Sequence, residues 1–430
     1  MSIDSLYSLF QQYPSVQTDT RQLTPGSLFF ALKGDNFNGN QFAKQALDAG
    51  AVAAIIDESA YYIDDRTIVV NNVLTTLQAL AKKHREQFSI PFLAITGSNG
   101  KTTSKELVHA VLSTTFKTYT TQGNLNNHIG IPLTLLRVQK DAEIAVIEMG
   151  ANHQKEIAGY CSYALPSHGI ITNCGKAHLE GFGGVEGVRK GKGELFDFIR
   201  QENGTVFINL DLAYLSEMSM GIQNKITFGS AQGETVGTII KADPFLCVSI
   251  LNTTKGVLPE LSSIQTQLVG DYNLSNVLLA VSVGIHFGVS PHAIKTALEN
   301  YQPTNSRSQL IKEGTNVIIL DAYNANPSSM QVAIENFSNI QAEKKIVMLG
   351  SMAELGEESK KEHEQIIDLI GKHAFEKVVL VGEQFGQLNH PYIQFSTSKE
   401  AAEWYHAQNF ENAHFLIKGS RSMKMETILS

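Results

Sequence analysis

A lysine and two threonines behind a pair of glycines make Thr96 to Lys105, TGSNGKTTSK, the most chemically explicit stretch of the chain. It follows the apolar run Phe92, Leu93, Ala94, Ile95. A strand that empties into a glycine turn and then opens a helix aims backbone N–H groups at one point, and such a point attracts polyphosphate. The segment is therefore read as an ATP site, with Gly97, Ser98, Asn99, Gly100, Lys101, Thr102 and Thr103 as its nucleotide contacts. Gly97 and Gly100 supply turn conformations closed to other residues, Lys101 reaches the terminal phosphates, and the Thr102 hydroxyl holds Mg²⁺. The spacing departs from the usual Walker pattern, since two residues separate Gly97 from Gly100 and Ile95 stands where a first glycine is expected. A shorter loop is implied. A plain strand-to-helix turn is the bland alternative, and the lysine and threonine together argue against it.

Three further loops carry groups suited to phosphate and metal chemistry. Glu148 ends the apolar run Ile144 to Ile147, where a strand-end carboxylate facing a phosphate loop can hold Mg²⁺. His178 and Glu180 lie in a glycine-rich segment from Ile170 to Leu195 and are candidate metal or supporting ligands, although histidine is an unusual partner for a hard cation. Lys190 and Lys192 close that segment near an expected helix start, a place that disfavours positive charge and so leaves room for a chemical reason. In TQGNLNNHIGIP, residues Asn124, Asn126 and Asn127 crowd between glycines, either stabilising turns or touching ligand. Asn273 and Asn276 stand three apart at the opening of an apolar helix, where amides recognise a base or cap the helix. Near the N-terminus, Asp19, Thr20, Arg21, Lys33, Gly34, Asp35 and Gly39 gather around one strand. They suit either a phosphorylated ligand or solvated turns.

The elements that must position these groups alternate. Short β-rich runs at Ser27 to Leu32, Ala51 to Ile56 and Thr67 to Val70, with a helix from Gln41 to Asp48, predict a small α/β domain. A helix from Val73 to Gln87 ends before Pro91, which places a boundary near residue 88. From the phosphate loop onward, strand and helix patterns predict a doubly wound, mainly parallel sheet, with an antiparallel extension between residues 203 and 266. Helices at Val277 to Phe287 and Ser290 to Glu299 lead to a hinge at Gln302 to Ser306. Strands at Val317 to Leu320, Ile346 to Leu349 and Val378 to Val381, and a last one entering Lys418-Gly419-Ser420-Arg421, predict a further open sheet with its loops on one edge.

Bulk properties narrow the function classes. With 430 residues the chain should hold about three domains. Its 43% hydrophobic and 18% charged residues fit a globular protein. A formal net charge of -8 and the lack of a basic run with interleaved aromatics argue against a nucleic-acid partner. Cys161, Cys174 and Cys247 form no CxxC, so neither a disulfide frame nor a cysteine zinc site is expected. The sequence shows neither a secretory leader pattern nor an apolar stretch able to span a bilayer, so a cytoplasmic protein is the expectation.

In this order, DTRQLTPGSLFFALKGDNFNG, TGSNGKTTSKE, GNLNNHIGIP, EMGAN, TNCGKAHLEGFGG, KGEL, DAYNANP, LGSMAELG and KGSRSMKME resemble the ATP-dependent Mur ligases over essentially the whole chain. Those ligases share the short GxxGKT loop. The resemblance implies an N-terminal α/β domain for a UDP-sugar (1–88), a central ATP-binding domain (89–303) and a Rossmann-like C-terminal domain for the incoming amine (304–430). It implies ATP and two Mg²⁺ sites, with Lys101 on the β- and γ-phosphates, Thr102 on one Mg²⁺, Glu148 and His178 at a second, and Lys192 carbamoylated. Asn273 and Asn276 then face adenine, and Arg307, Asp321 and Tyr323 approach the nucleotide when the last domain closes. Thr20, Arg21, Lys33, Gly34 and Asp35 hold the UDP part, and Asn124, Asn127, Asn324 and Asn326 are further substrate contacts. The implied reaction joins D-alanyl-D-alanine to a UDP-N-acetylmuramoyl-tripeptide through an acyl phosphate, performed by a monomer. A related Mur or folylpolyglutamate-type ligase with another amine, or a nucleotide-binding regulator, are the alternatives. Ser351, Ala322 and Asn38 depart from the commonest family pattern, where aspartate, serine and aspartate are usual. None lies in the phosphate loop or among the implied metal ligands.

Overall fold

The computed structural model describes residues 1–304 and 306–430. Its first sheet is a small parallel one in the order Val16–Gln17, Leu28–Phe30, Ala53–Ile56, Thr67–Val69. The middle strands are buried on both faces, as their unbroken apolar runs require. Phe29, Ala54 and Ile56 pack with Ala43, Ala46 and Leu47 of the helix Ala43–Asp48. That helix starts two residues later than its pattern suggests, because Gly39–Phe42 is wound as a 3₁₀ turn capped by the Asn38 side chain. The helix Val73–Arg85 follows, with the Asn72 side chain accepting from the Thr75 N–H and a cationic last turn matching its C-terminal dipole.

A nine-stranded sheet has the order Ile264–Gln265, Cys247–Asn252, Thr235–Lys241, Asn224–Gly229, Thr205–Asn209, His168–Ile171, Phe92–Thr96, Ile144–Glu148, Thr118–Thr120. Antiparallel pairing appears where Thr235–Lys241 meets Cys247–Asn252 and where that strand meets Ile264–Gln265, the extension expected from the short strands and turns of this region. The helices Leu274–His286 and Pro291–Asn300 come next, the second capped by Ser290. Asn305, in the expected hinge, lies outside the described residues.

The last sheet runs Gln309–Glu313, Asn316–Asp321, Ala413–Lys418, Lys344–Gly350, Lys377–Val381, Ile393–Phe395, parallel except for its first strand. Alternation along each strand sorts side chains onto two faces. Ile319, Val347, Leu349 and Leu416 join Met330, Phe337, Ile366 and Ile370 of the helices Pro327–Asn339 and Ser359–Ile370. Ile318, Leu320, Met348 and Ile417 join Ala401, Tyr405, Met425 and Ile428 on the other face. Helices on both faces leave the strand ends as the place for ligand chemistry.

The chain packs as two compact units. The first comprises Met1–Ala94, Phe116–Ala151 and Lys155–Gly169, and the second Ile95–Thr115, Asn152–Gln154 and Ile170–Ser430.

Candidate active site

In the second unit the loop from Gly97 to Gly100 is fixed from below by one strand end. The Ser98 N–H donates to Asn173 O at 2.9 Å and the Asn99 N–H to Asn173 Oδ1 at 3.0 Å. Asn99 O accepts from Thr172 Oγ1 at 2.6 Å and Asn173 Nδ2 at 3.1 Å. Gly97, at φ 146°, lies so close to Thr172 that a Cβ would overlap its hydroxyl. Gly100, at φ 77°, stands before the helix Lys101–Leu112, whose first turn has no side-chain cap. The uncapped N-terminus of this 12-residue helix, set on a glycine turn, fits a polyphosphate. Lys101 Nζ donates to Gly97 O at 2.6 Å and Ser98 O at 3.1 Å, so the cation rests on the loop's own carbonyls.

Asn276 supports the same loop from behind. Its Oδ1 accepts from Ser104 Oγ at 2.9 Å, its Nδ2 donates to Asn273 Oδ1 at 2.8 Å, and Asn273 Nδ2 donates to Val269 O at 2.9 Å. The helix carrying Asn276 starts at Leu274, earlier than its apolar pattern suggests, so the two asparagines straddle its first turn. Both are buried, and these amide bonds join two helices.

Lys192 is 1% exposed, with its ammonium 5.0 Å from the Phe182 ring centroid. It lies inside the helix Val185–Gln201, because that helix begins at the Gly183-Gly184 break rather than beside Lys190 and Lys192. Gly191 lets Phe182 approach, since a Cβ there would overlap its ring. Cys174, in the same neighbourhood, has its thiol pushed up to about 11 by burial. His178 adopts a left-handed backbone at φ 52° and pairs through Nδ1 with Glu354, itself at φ 63°. That pairing holds the Glu354 carboxyl below its ordinary range. Glu354 was not among the residues singled out from sequence, and only its place in a glycine-bounded strand-end loop pointed to it.

In the first unit Glu148 is 1% exposed at its strand end. Its Oε1 accepts from Asn126 Nδ2 at 2.8 Å, and its N–H donates to Thr121 Oγ1 at 3.0 Å. Of the three clustered asparagines, Asn126 grips this carboxylate. Asn127 Oδ1 instead accepts from the Ile129 and Gly130 N–H groups, and Asn124 is exposed. Lys33 pairs with Asp57 at 3.2 Å and Glu58 at 2.5 Å, and Asn38 bonds Glu58 and Asn40. Asn40 is fully buried and accepts from the Asp57 and Glu58 N–H groups, a junction that no local sequence pattern announces. Arg21 forks onto Asp19, which also caps the turn Thr20–Gln22, and Gly34 and Asp35 are exposed.

At the end of the last sheet, the Arg307 guanidinium lies 3.6 Å from the Tyr323 ring centroid and that of Arg421 5.6 Å away. Asp321 Oδ2 pairs with Lys418 Nζ at 2.5 Å, and its Oδ1 accepts from the Ser308 N–H. Lys418 also donates to Asn324 O at 3.2 Å. Asn326 caps the helix Pro327–Asn339 and donates from Nδ2 to Asn99 Oδ1 of the phosphate loop at 2.8 Å. Thus the second unit brings Asn326 to the Gly97–Gly100 loop and gathers Arg307, Asp321 and Tyr323 at one corner. Among the described residues no cluster of three or more His, Cys, Asp or Glu is poised to hold a metal. A hydroxyl such as that of Thr102, like a carboxylate such as that of Glu148, is an oxygen donor of the kind a hard cation accepts alongside phosphate and water.

Three family models match: "Mur ligase family, catalytic domain" at residues 12–87, "Mur ligase middle domain" at 95–284, and "Mur ligase, glutamate ligase domain" at 306–421. The chain is 34% identical, over 96% of its length and 92% of that protein's, to UDP-N-acetylmuramoyl-tripeptide–D-alanyl-D-alanine ligase of Escherichia coli (strain K12). Its fold is similar to a crystal structure of MurF from Acinetobacter baumannii, with TM-score 0.86 and 30% identity over 98% of this chain and 96% of that one. It is also similar to MurF ligase from Thermotoga maritima in complex with ADP, with TM-score 0.84 and 27% identity over 96% of each chain. The chain belongs to the Mur ligase family.

Proposed function

We propose that this chain is an ATP-dependent amide ligase that joins D-alanyl-D-alanine to UDP-N-acetylmuramoyl-tripeptide, a step of peptidoglycan precursor synthesis. The observation that carries the reading is the 34% identity, running through all three family segments, to the Escherichia coli enzyme named for that reaction. Three functional domains follow: residues 1–88 for the UDP-sugar, 89–303 for ATP and 304–430 for the amine. Thr20, Arg21, Lys33, Gly34 and Asp35 bind the UDP part, and Asn124, Asn127, Asn324 and Asn326 serve the peptide substrates. The protein works as a cytoplasmic monomer, and among its described residues no helix is long and apolar enough to cross a membrane.

The peptide carboxylate attacks the γ-phosphorus of ATP, and ADP leaves. Two anions must meet, so the first task of the site is to offset charge. Lys101 exchanges the Gly97 and Ser98 carbonyls for phosphate oxygens, while the helix N-terminus and loop N–H groups supply fixed dipoles. Thr102, Glu148, His178 and a carbamoylated Lys192 would hold Mg²⁺, at two sites, and the metal would supply positive charge to offset that of the phosphates and the carboxylate. Carbamoylation suits Lys192 because it converts a buried ammonium into an anionic oxygen donor. Asn273 and Asn276 face adenine while their amides brace the loop through Ser104, and Arg307, Asp321 and Tyr323 meet the nucleotide from the last domain. The amine of D-alanyl-D-alanine then attacks the acyl carbon, and the tetrahedral intermediate expels phosphate to leave the amide.

The test is amine dependence. With UDP-N-acetylmuramoyl-tripeptide and ATP present, D-alanyl-D-alanine should stimulate ADP formation while free amino acids do not. Equal stimulation by a free amino acid would assign a neighbouring ligase activity instead, and no stimulation by any amine would leave a nucleotide-binding regulator.

A further inference from the structure

The segment from Asn173 to Glu180 is fastened to the last third of the chain, and at Lys176, Ser328 and Glu362 by groups the reaction does not use. Lys176 is the centre of this seam. Its N–H donates to Ser328 Oγ at 2.9 Å, at the start of the helix Pro327–Asn339, and its Nζ pairs with Glu362 Oε1 at 2.6 Å, in the helix Ser359–Ile370. The two ends of this ion pair differ sharply, since the Glu362 side chain is 3% exposed and that of Lys176 41%. A carboxylate so enclosed is costly without a cation. The adjoining imidazole does not supply one. His363 is fully buried, sits at 2.7 Å from Ser359 O through Nδ1, and accepts the Met352 N–H through Nε2 at 3.0 Å. Those roles make it the neutral tautomer, and burial lowers its pKa further. Two residues beyond Lys176, the seam continues through His178 and Glu354, both held in left-handed backbone. Glu180 closes it against Gly356, where an added Cβ would lie 3.2 Å from the glutamate side chain.

We propose that Lys176 and Glu362 are positioning residues whose ion pair keeps the 306–421 segment docked on the loop that carries His178. The inference rests on the ligase reading for its catalytic consequence. Docking excludes water from the acyl phosphate and fixes the amine near it, so loss of the pair lets water compete with the amine. Water attack at the acyl carbon returns the free carboxylate and phosphate, so ATP is consumed without an amide. Breaking a charge pair whose carboxylate is enclosed weakens docking by on the order of tenfold.

The experiment compares the full-length wild type with K176M, E362Q and the exchanged pair K176E/E362K. Small-angle scattering without substrates measures the radius of gyration, and product analysis measures phosphate released per amide formed. Each single variant should show a larger radius, a phosphate-to-amide ratio several-fold above one and a KM for D-alanyl-D-alanine raised about tenfold. The exchanged pair should restore all three toward wild type, which a residue needed only for folding would not do. Singles that match wild type in radius and ratio would overturn the proposal, as would an exchanged pair no better than the summed singles. If the wild type releases no phosphate in response to D-alanyl-D-alanine, the ligase reading fails, and the scattering comparison alone decides whether the latch exists.

Discussion

Lys101 opens a helix just after a parallel strand and its glycine turn, Lys418 ends a parallel strand just before Gly419, and the fold treats the two cations oppositely. Lys418 is 2% exposed and locked by the Asp321 carboxylate and Asn324 O, so its charge organises protein. Lys101 is half-buried and lies on the Gly97 and Ser98 carbonyls, in front of an uncapped helix start. Neutral carbonyls give up an ammonium to phosphate far more readily than a carboxylate does. The same residue type at the end of the same kind of strand is thus left on neutral carbonyls in one place and pinned by a carboxylate in the other.

That contrast can be broken by substitution. Lys101→Ala should lower amine-dependent ADP formation by on the order of 10³-fold while leaving the melting temperature near wild type. Retained turnover would remove Lys101 from the phosphates. Lys418→Met should behave in the reverse sense, destabilising the C-terminal segment by about 3 kcal/mol through the stranded Asp321 carboxylate. A denaturant midpoint unchanged from wild type would show that the pair organises nothing. Gly100→Ala tests the turn between strand and cation. At φ 77°, with an added Cβ only 2.9 Å from Asn276 Oδ1, it should weaken nucleotide binding by about tenfold, measured by calorimetry with ADP.

Much of this was legible in the sequence because the decisive information was local. Strand, glycine, lysine and threonine occupy the eleven consecutive residues Phe92 to Thr102, and the alternation of apolar runs with helical periods led to the three α/β sheets. Legibility ended where partners are distant. Nothing near Lys176 announces Glu362, 186 residues away, and the buried junction at Asn40 depends on Asp57 and Glu58 arriving from the next strand. Local density was also ambiguous. Asn124, Asn126 and Asn127 look alike in sequence, and the turn geometry alone decides that Asn126 reaches Glu148 while Asn127 serves the following helix. The left-handed His178 belongs to the same class, since a backbone conformation that side chains resist is imposed by the seam it joins.

The central claim is that the phosphate loop activates a peptide carboxylate by phosphorylation. It is tested most directly by labelling that carboxylate of UDP-N-acetylmuramoyl-tripeptide with ¹⁸O and analysing the phosphate released when D-alanyl-D-alanine and ATP are added. An acyl phosphate requires one labelled oxygen to pass into each phosphate, and phosphate free of label in a reaction that still forms the amide would contradict the account.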